Sequence, residues 1–401
     1  MKHCRSCGSP LSSPFLNLGN SPVSNSYLTE SETHNPETYY PLEVYYCRKC
    51  HLVQIDQFEK PENIFNSKYA YFSSYSSSWL EHCKKYAKEI AMEMGLNSES
   101  LVLEVGSNDG YLLQYFKEMG IPVLGIDPSA ETARVAIEKG IPTEIAFFNT
   151  DFSKRANLII ANNVIAHTPD PNGFVKALKK CLKPRGVVTV EFPSVMEMIK
   201  NNLFDTIYQE HYSYFSLHSI NELFQRHGLK IFHVEEFSTH GGSLRIHACH
   251  NEENMLKDIS VVDMMVREKE FGMVSPNIYF KFGQDVEKTK RGILDILIIM
   301  KESGRTIVGY GAPAKGNTLL NYCGIRTDFI DYTVDANPHK QGFFLPGTHI
   351  PIKHPDQIKI DQPNYVLVLP WNIQTEIVEQ MSYIKSWGGK FIILLPKVKI
   401  I

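Results

Sequence analysis

The chain has 401 residues, with 44 acidic and 41 basic side chains and a formal net charge of −3. That balance excludes a general electrostatic attraction to nucleic acid or to an anionic membrane. Its 43% hydrophobic and 21% charged content is that of an ordinary soluble protein. The length predicts two or three domains. The best apolar run, Ile293 to Met300, is broken by Asp295 and is too short to span a bilayer. Met1-Lys-His-Cys-Arg5 leads into polar, Gly and Pro residues, so no secretory signal is expected. Eight cysteines in such a chain make no disulfide framework, and a cytoplasmic protein with reduced thiols is expected.

The first 65 residues are loop-rich and carry two knuckles, Cys4-Arg-Ser-Cys7-Gly and Cys47-Arg-Lys-Cys50-His. Four thiolates on two tight turns suit a tetrahedral Zn²⁺ site, closed and therefore structural. The 39 residues between the pairs exceed a common ribbon gap and predict a small lobe of their own. Cys83, Cys181, Cys249 and Cys323 are isolated and read as core residues. An aromatic and serine cluster, Tyr69 to Trp79, precedes a helix expected over Ser77–Met94. Strands are then predicted at Leu101–Val105, Val123–Ile126, Thr143–Ala146, Leu158–Ala161 and Gly186–Glu191, extended by Leu229–Glu235 and Ser243–His250. Helices separate most of them, which predicts an α/β fold with a parallel-rich, doubly wound sheet. Residues 251–303 read as connecting helices. A second αβ unit follows, with strands at Thr306–Tyr310, Phe329–Val334, Tyr365–Leu369 and Lys390–Leu395.

Candidate chemistry sits at successive strand ends. The first strand runs into Glu104-x-Gly106-Ser-Asn108-Asp-Gly110, a turn that departs from the Gly-x-Gly-x-x-Gly dinucleotide fingerprint. The next ends in Asp127-Pro128-Ser, where a carboxylate can accept both hydroxyls of a ribose. Asp-Pro-Ser is also good helix-capping chemistry, and both roles are compatible. The fourth strand ends in Asn162-Asn163-Val-Ile-Ala-His167. A later stretch, Tyr208-Gln-Glu210-His211-Tyr-Ser-Tyr214-Phe, groups an imidazole that titrates near neutrality with a carboxylate and phenols; its aromatics read equally as a packed seam. Arg245, after the turn His240-Gly-Gly, reads as a partner for a carboxylate. The second αβ unit opens with Gly309-Tyr-Gly-Ala-Pro-Ala-Lys315-Gly-Asn317, whose backbone N–H groups and Lys315 suit phosphate oxygens. Asp335 lies at a later strand end, and Lys340 and His349 lie in polar, glycine-rich runs beyond it.

Glu104-x-Gly106-x-x-x-Gly110 followed by Asp127 resembles the class I S-adenosylmethionine-dependent methyltransferases. The knuckles, Gly106-Ser-Asn-Asp-Gly110, Asn162-Asn-Val-Ile-Ala-His167, Tyr208-Gln-Glu-His211 and Gly309 to Gly316, in that order, resemble more closely the nucleotide-sugar C-methyltransferases that make branched deoxysugars. The resemblance covers essentially the whole chain. It implies a zinc-binding domain (1–65), a Rossmann-like methyltransferase domain (66–250), a helical connector (251–303) and a second Rossmann-like domain (304–401) that helps hold the nucleotide sugar. It implies that Glu104, Gly106, Asn108, Gly110, Asp127, Pro128, Asn162 and Asn163 hold S-adenosylmethionine, and that Lys315, Asn317, Asp335, Lys340 and His349 hold the substrate.

A carbon acceptor, unlike oxygen or nitrogen, needs its α proton removed and an enolate stabilised. The resemblance implies His211 as that base, with Glu210, Tyr208, His167 and Tyr71 completing the pocket. The expected substrate is a nucleotide-linked 4-keto-deoxysugar, methylated α to the ketone, commonly at C-3. The expected protein is a monomer that engages neither nucleic acid nor membrane. Two other readings stay open: methyl transfer to oxygen or nitrogen on the same fold, and a zinc-ribbon nucleotide- or nucleic-acid-binding protein without catalysis. No dense basic stripe with interleaved aromatics supports the last. The spacing Gly309-x-Gly311-x-x-x-x-Gly316 argues against an oxidoreductase.

Overall fold

The computed structural model describes residues 2–64 and 72–401. Tyr71 therefore lies outside the described residues. The lobe between the knuckles is a short antiparallel sheet of β1 (Leu16–Ser21), β2 (Tyr40–Tyr46) and β3 (Val53–Ile55). The second knuckle is the turn between β2 and β3.

The next strands are β4 (Val102–Val105), β5 (Val123–Asp127), β6 (Thr143–Ile145), β7 (Ala156–Asn162) and β8 (Leu182–Pro193), all parallel. Most are continuous apolar runs, as buried parallel strands must be; Leu158 to Ala161 has no exposed surface. After the two-residue β9 (Ser213–Tyr214) come β10 (Leu229–Phe237) and β11 (Ser243–His250). The sheet order is β10-β11-β8-β7-β4-β5-β6. β11 is antiparallel to both neighbours, because the tight turn at Thr239–Gly242 folds it back on β10. This is the class I methyltransferase arrangement of a Rossmann-like sheet. The expected strands are present with ends moved by a few residues.

β9 does not join that sheet. It pairs with β3, so the N-terminal sheet reads β1-β2-β3-β9. The connector is two helices, Ile259–Phe271 and Pro276–Glu302, as expected. Gly283 lets the second approach the N-terminal lobe: a Cβ there would collide with the Phe15 carbonyl oxygen.

The last unit has β12 (Ile307–Tyr310), β13 (Thr333–Val334), β14 (Ile352–Lys353), β15 (Tyr365–Val368), β16 (Lys390–Ile393) and β17 (Lys399–Ile400), in the order β14-β13-β12-β15-β16-β17. All are parallel except β17. The strand expected over Phe329–Val334 is only its last two residues, because Phe329 and Ile330 are tied into a turn on the Arg326 carbonyl. One buried apolar cluster runs through all three units, from Leu42 and Val53 through Val190 and Phe215 to Leu320 and Val366. A second packs the helix Ser77–Glu93 against the other face of the central sheet. No helix among the described residues is long and apolar enough to cross a membrane.

Candidate active site

A cavity of about 690 Å³ opens at the carboxyl ends of β4, β5, β7 and β8, with walls from all three units. That is where open α/β sheets place ligands.

On one side the loop after β4 turns through Gly106 (φ +68) and Asn108 (φ +48). A Cβ on Gly106 would lie 2.5 Å from Val164 Cγ2, so the close approach of these two loops requires glycine. The Asn108 N–H donates to Asp127 Oδ2 at 2.8 Å, and Asn108 Oδ1 accepts from the Ser73 N–H at 2.9 Å. Asp127 Oδ1 accepts from the Ser129 N–H at 2.9 Å, at the start of helix Ala130–Glu138. Oδ1 also accepts from the Thr132 hydroxyl at 3.3 Å, so Asp127 anchors its turn while lining the cavity with Pro128, and Oδ2, with one hydrogen bond, retains acceptor capacity. Burial pushes its carboxyl up, against the backbone hydrogen bonds. Asn162 is buried and lines the cavity, yet neither atom of its amide has a hydrogen-bond partner among the described residues. The Asn163 amide meets His240 Nε2 at 3.3 Å.

Two residues expected to touch the cofactor do not line the cavity. Gly110 turns with φ +77 against Ile141 and Ala136, where a Cβ would collide, so its glycine serves packing. Glu104 points into the interior beside Tyr111, and burial pushes its carboxyl well above the ordinary range.

The opposite wall carries the loop between β8 and β9. His211 Nδ1 lies 2.9 Å from the Thr206 carbonyl oxygen and Nε2 lies 2.8 Å from the Tyr208 hydroxyl. A carbonyl only accepts, so Nδ1 carries the proton and Nε2 presents its lone pair. His167 meets His211 edge-on with ring centroids 4.6 Å apart. Burial pushes His167 down to about 4 and His211 well below its ordinary value, the latter helped by its neighbour His167. Both are neutral imidazoles at pH 7. Glu210 is buried, both its oxygens accept from Asn25 Nδ2 at 2.9 Å, and burial pushes its carboxyl up to about 7.

From the C-terminal unit, Lys315 and Lys340 line the cavity. Lys315 sits 4.7 Å over the Trp371 ring, and burial pushes its ammonium down. The other three expected substrate residues lie off the cavity. Asp335 accepts from the Ala312 N–H at 2.7 Å and the Asn337 N–H at 2.8 Å, which ties two loops together. His349 pairs with Glu37 at 2.6 Å, joining the C-terminal unit to the N-terminal lobe. Asn317 is buried in the helix Ala314–Cys323, away from the cavity lining.

Among the residues of the cavity wall that the reading of the sequence did not expect at the site are Asn25, Trp79 and His240. His240 stands in the left-handed region (φ +53), and burial pushes it down to about 4. The His-Gly-Gly signal for that turn was visible; its direction toward the cavity was not. Arg245 pairs with Glu191 at 2.6 Å and Glu235 at 3.2 Å.

The cysteines form a separate centre. Cys4 and Cys50 Sγ are 3.5 Å apart, as are Cys7 and Cys47 Sγ, and one atom from each of the four falls within a 4.8 Å group. A tetrahedron with ~2.3 Å zinc–sulfur bonds has edges of about 3.8 Å, so the four residues fit Zn²⁺. Gln54 Nε2 donates to Cys4 Sγ at 3.2 Å, the kind of outer contact that steadies a thiolate ligand.

Residues 4–65 match the family described as "Putative zinc binding domain", residues 79–234 that described as "Methyltransferase domain", and residues 238–396 that described as "C-methyltransferase C-terminal domain". The chain is 33% identical over 405 residues to C-methyltransferase NovU of Streptomyces niveus, covering 99% of this chain and 96% of that protein. It is 29% identical over 118 residues to a ubiquinone biosynthesis O-methyltransferase of Rhodopseudomonas palustris, covering 27% of this chain and 45% of the other. Among solved structures it resembles the 1,6-didemethyltoxoflavin-N1-methyltransferase of Burkholderia thailandensis, with 17% identity, TM-score 0.39, and coverage of 50% and 95% of the two chains. Matched along its whole length, with a zinc-binding domain at one end and the C-methyltransferase C-terminal domain at the other, the chain belongs to the C-methyltransferase family.

Proposed function

We propose that the protein transfers a methyl group from S-adenosylmethionine to the carbon α to the ketone, C-3, of a nucleotide-linked 4-keto-deoxysugar. The observation that carries this reading is the pair of buried neutral imidazoles, His211 and His167, facing one cavity with the Glu210 carboxyl. Oxygen or nitrogen acceptors need no such carbon-acid apparatus, whereas an enolate needs both a base and a hydrogen-bond donor.

The donor side fits the adenosyl group. Asp127 Oδ2 keeps a lone pair for a ribose hydroxyl, and the buried Asn162 amide is a polar group that a ligand would satisfy. S-adenosylmethionine, when bound, supplies an electrophilic methyl group. His211 Nε2 takes the sugar's α proton; the C–H electron pair moves toward carbon and into the ketone oxygen. His211 is a weak resting base, because burial opposes its charge, but the enolate formed beside the imidazolium offsets that cost. Tyr208 holds the same nitrogen at rest and must yield it as the sugar enters. The His167 N–H meets the Glu210 backbone carbonyl at rest and must leave it to donate to the enolate oxygen, and the Glu210 carboxylate accepts from a sugar hydroxyl. Lys315 and Lys340 meet the diphosphate. Zinc holds the fold and takes no part in the chemistry.

The test is methyl transfer from labelled S-adenosylmethionine to a panel of nucleotide-linked 4-keto-deoxysugars. Label on C-3 of one of them supports the reading; label only on oxygen or nitrogen, or none across the panel, overturns it. His211→Asn is expected to keep S-adenosylmethionine binding and to lose exchange of the substrate's α proton into deuterated water. Unchanged exchange would remove His211 as the base.

A further inference from the structure

The edge hairpin β10–β11 carries a second group of metal-ligand side chains, remote in sequence from the cysteines and absent from the cavity lining. His233 and His247 are cross-strand partners, and Glu235 lies two residues along from His233 on the same strand. Alternation places His233 and Glu235 on one face. One ligand atom from each of the three lies within 4.8 Å of the others. His247 Nε2 is 2.9 Å from Glu235 Oε2, and the two imidazole rings are 5.1 Å apart. Two imidazoles and a carboxylate are the donor set of an open zinc site that keeps a position for water.

The surroundings support such a site. Ser260 Oγ lies 3.2 Å from His233 Nδ1, and Asp258 Oδ1 lies 3.5 Å from it. That occupies Nδ1 and leaves Nε2 for an ion, with a carboxylate behind the imidazole as second support. Arg245 is the opposing charge: its Nη1 lies 3.2 Å from Glu235 Oε2. Its guanidinium is also met by Glu191 at 2.6 Å, and Glu235 Oε1 carries no hydrogen bond among the described residues. The side chains of His233 and Glu235 are 38% and 32% exposed, so an ion reaches them from solvent.

We propose that His233, Glu235 and His247 form a second divalent-cation site, of the zinc class, independent of the cysteine centre. The test titrates Co²⁺ into intact protein already holding one equivalent of zinc per chain. One further equivalent is expected, with a ligand-field spectrum free of thiolate charge-transfer bands. His233→Asn, at a partly exposed position that leaves the core untouched, is expected to weaken that equivalent by more than about tenfold, and Asp258→Asn by about tenfold. Glu235→Gln gives a second, independent removal of a ligand. No equivalent beyond the first, or a further equivalent with unchanged affinity in both His233→Asn and Glu235→Gln, overturns the proposal.

Discussion

Glu210 shows what a candidate site costs the fold. Its carboxyl is 1% exposed, and burial moves it from an ordinary 4.5 to about 7, although Asn25 donates to it. Between those values the folded chain holds a proton that the unfolded chain has released. Stability therefore falls as pH rises through that window, and above pH 7 the whole penalty stands, about 3 kcal/mol at ~1.36 kcal/mol per unit. Glu210→Gln keeps an oxygen for Asn25 and removes the charge. It is expected to be more stable than the parent at pH 8 by up to about 3 kcal/mol, to match it near pH 4, and to be slower in methyl transfer. Denaturant unfolding at the two pH values checks this; a difference independent of pH would mean the carboxyl is solvated. That Glu210, His211 and His167 reach one cavity agrees with the short motifs in which each of them sits. Asn25 was not legible in the sequence, because it reaches Glu210 across 185 positions and no local period records such a contact. Asp335 and His349 tie loops together in the structure, and a polar residue in a glycine-rich loop looks alike in sequence whether it does that or faces a ligand.

At the scale of elements, the strands buried on both faces were legible because continuous apolar runs allow little else. The two-residue strands β9, β14 and β17 were not, since so short a segment has no hydrophobic period to read. β9 matters most. It starts two residues after His211 and pairs with β3, whose hairpin is closed by Cys47 and Cys50. The Ile55 N–H donates to the Tyr212 carbonyl at 3.1 Å, and the Tyr212 N–H to the Ala166 carbonyl at 2.8 Å. The zinc knuckle is therefore coupled through one hairpin to the loops bearing His211 and His167. Stripping the metal with a strong chelator is expected to lower methyl transfer by about tenfold or more, while S-adenosylmethionine affinity changes by less than about threefold. Parallel measurements of turnover and cofactor binding check this. Equal loss of both would mean that the metal holds the whole chain rather than this loop.

At the scale of the molecule, the three units share one buried apolar cluster, and the cavity lies where they meet. The fold class was legible in the sequence, but the seam between the units was not, because its contacts join distant segments. Trp371 is the clearest of these. Its Nε1–H donates to Asp205 Oδ2 at 2.6 Å, across from the loop that leads to His211, while Lys315 rests over its ring. Its ring also packs against the His240–Gly242 turn, where a Cβ on Gly241 would lie 2.5 Å from Trp371 Cη2. One side chain thus sets the C-terminal unit against two walls of the cavity. Burial pushes Asp205 up to about 6, and Lys315 and the Trp371 N–H oppose that rise. Trp371→Phe removes the donor, leaves a buried carboxylate less well satisfied, and is expected to cost about 1–3 kcal/mol of stability. Because the N–H bridges the two units and not the donor pocket, KM for the sugar is expected to rise by about tenfold, or ~1.4 kcal/mol, with the S-adenosylmethionine Kd unchanged. Steady-state kinetics and calorimetric cofactor binding on the same preparation separate the two. An unchanged KM would show that the C-terminal unit keeps its place without this bond, and a matching loss of cofactor affinity would show that the two halves of the cavity are not independent.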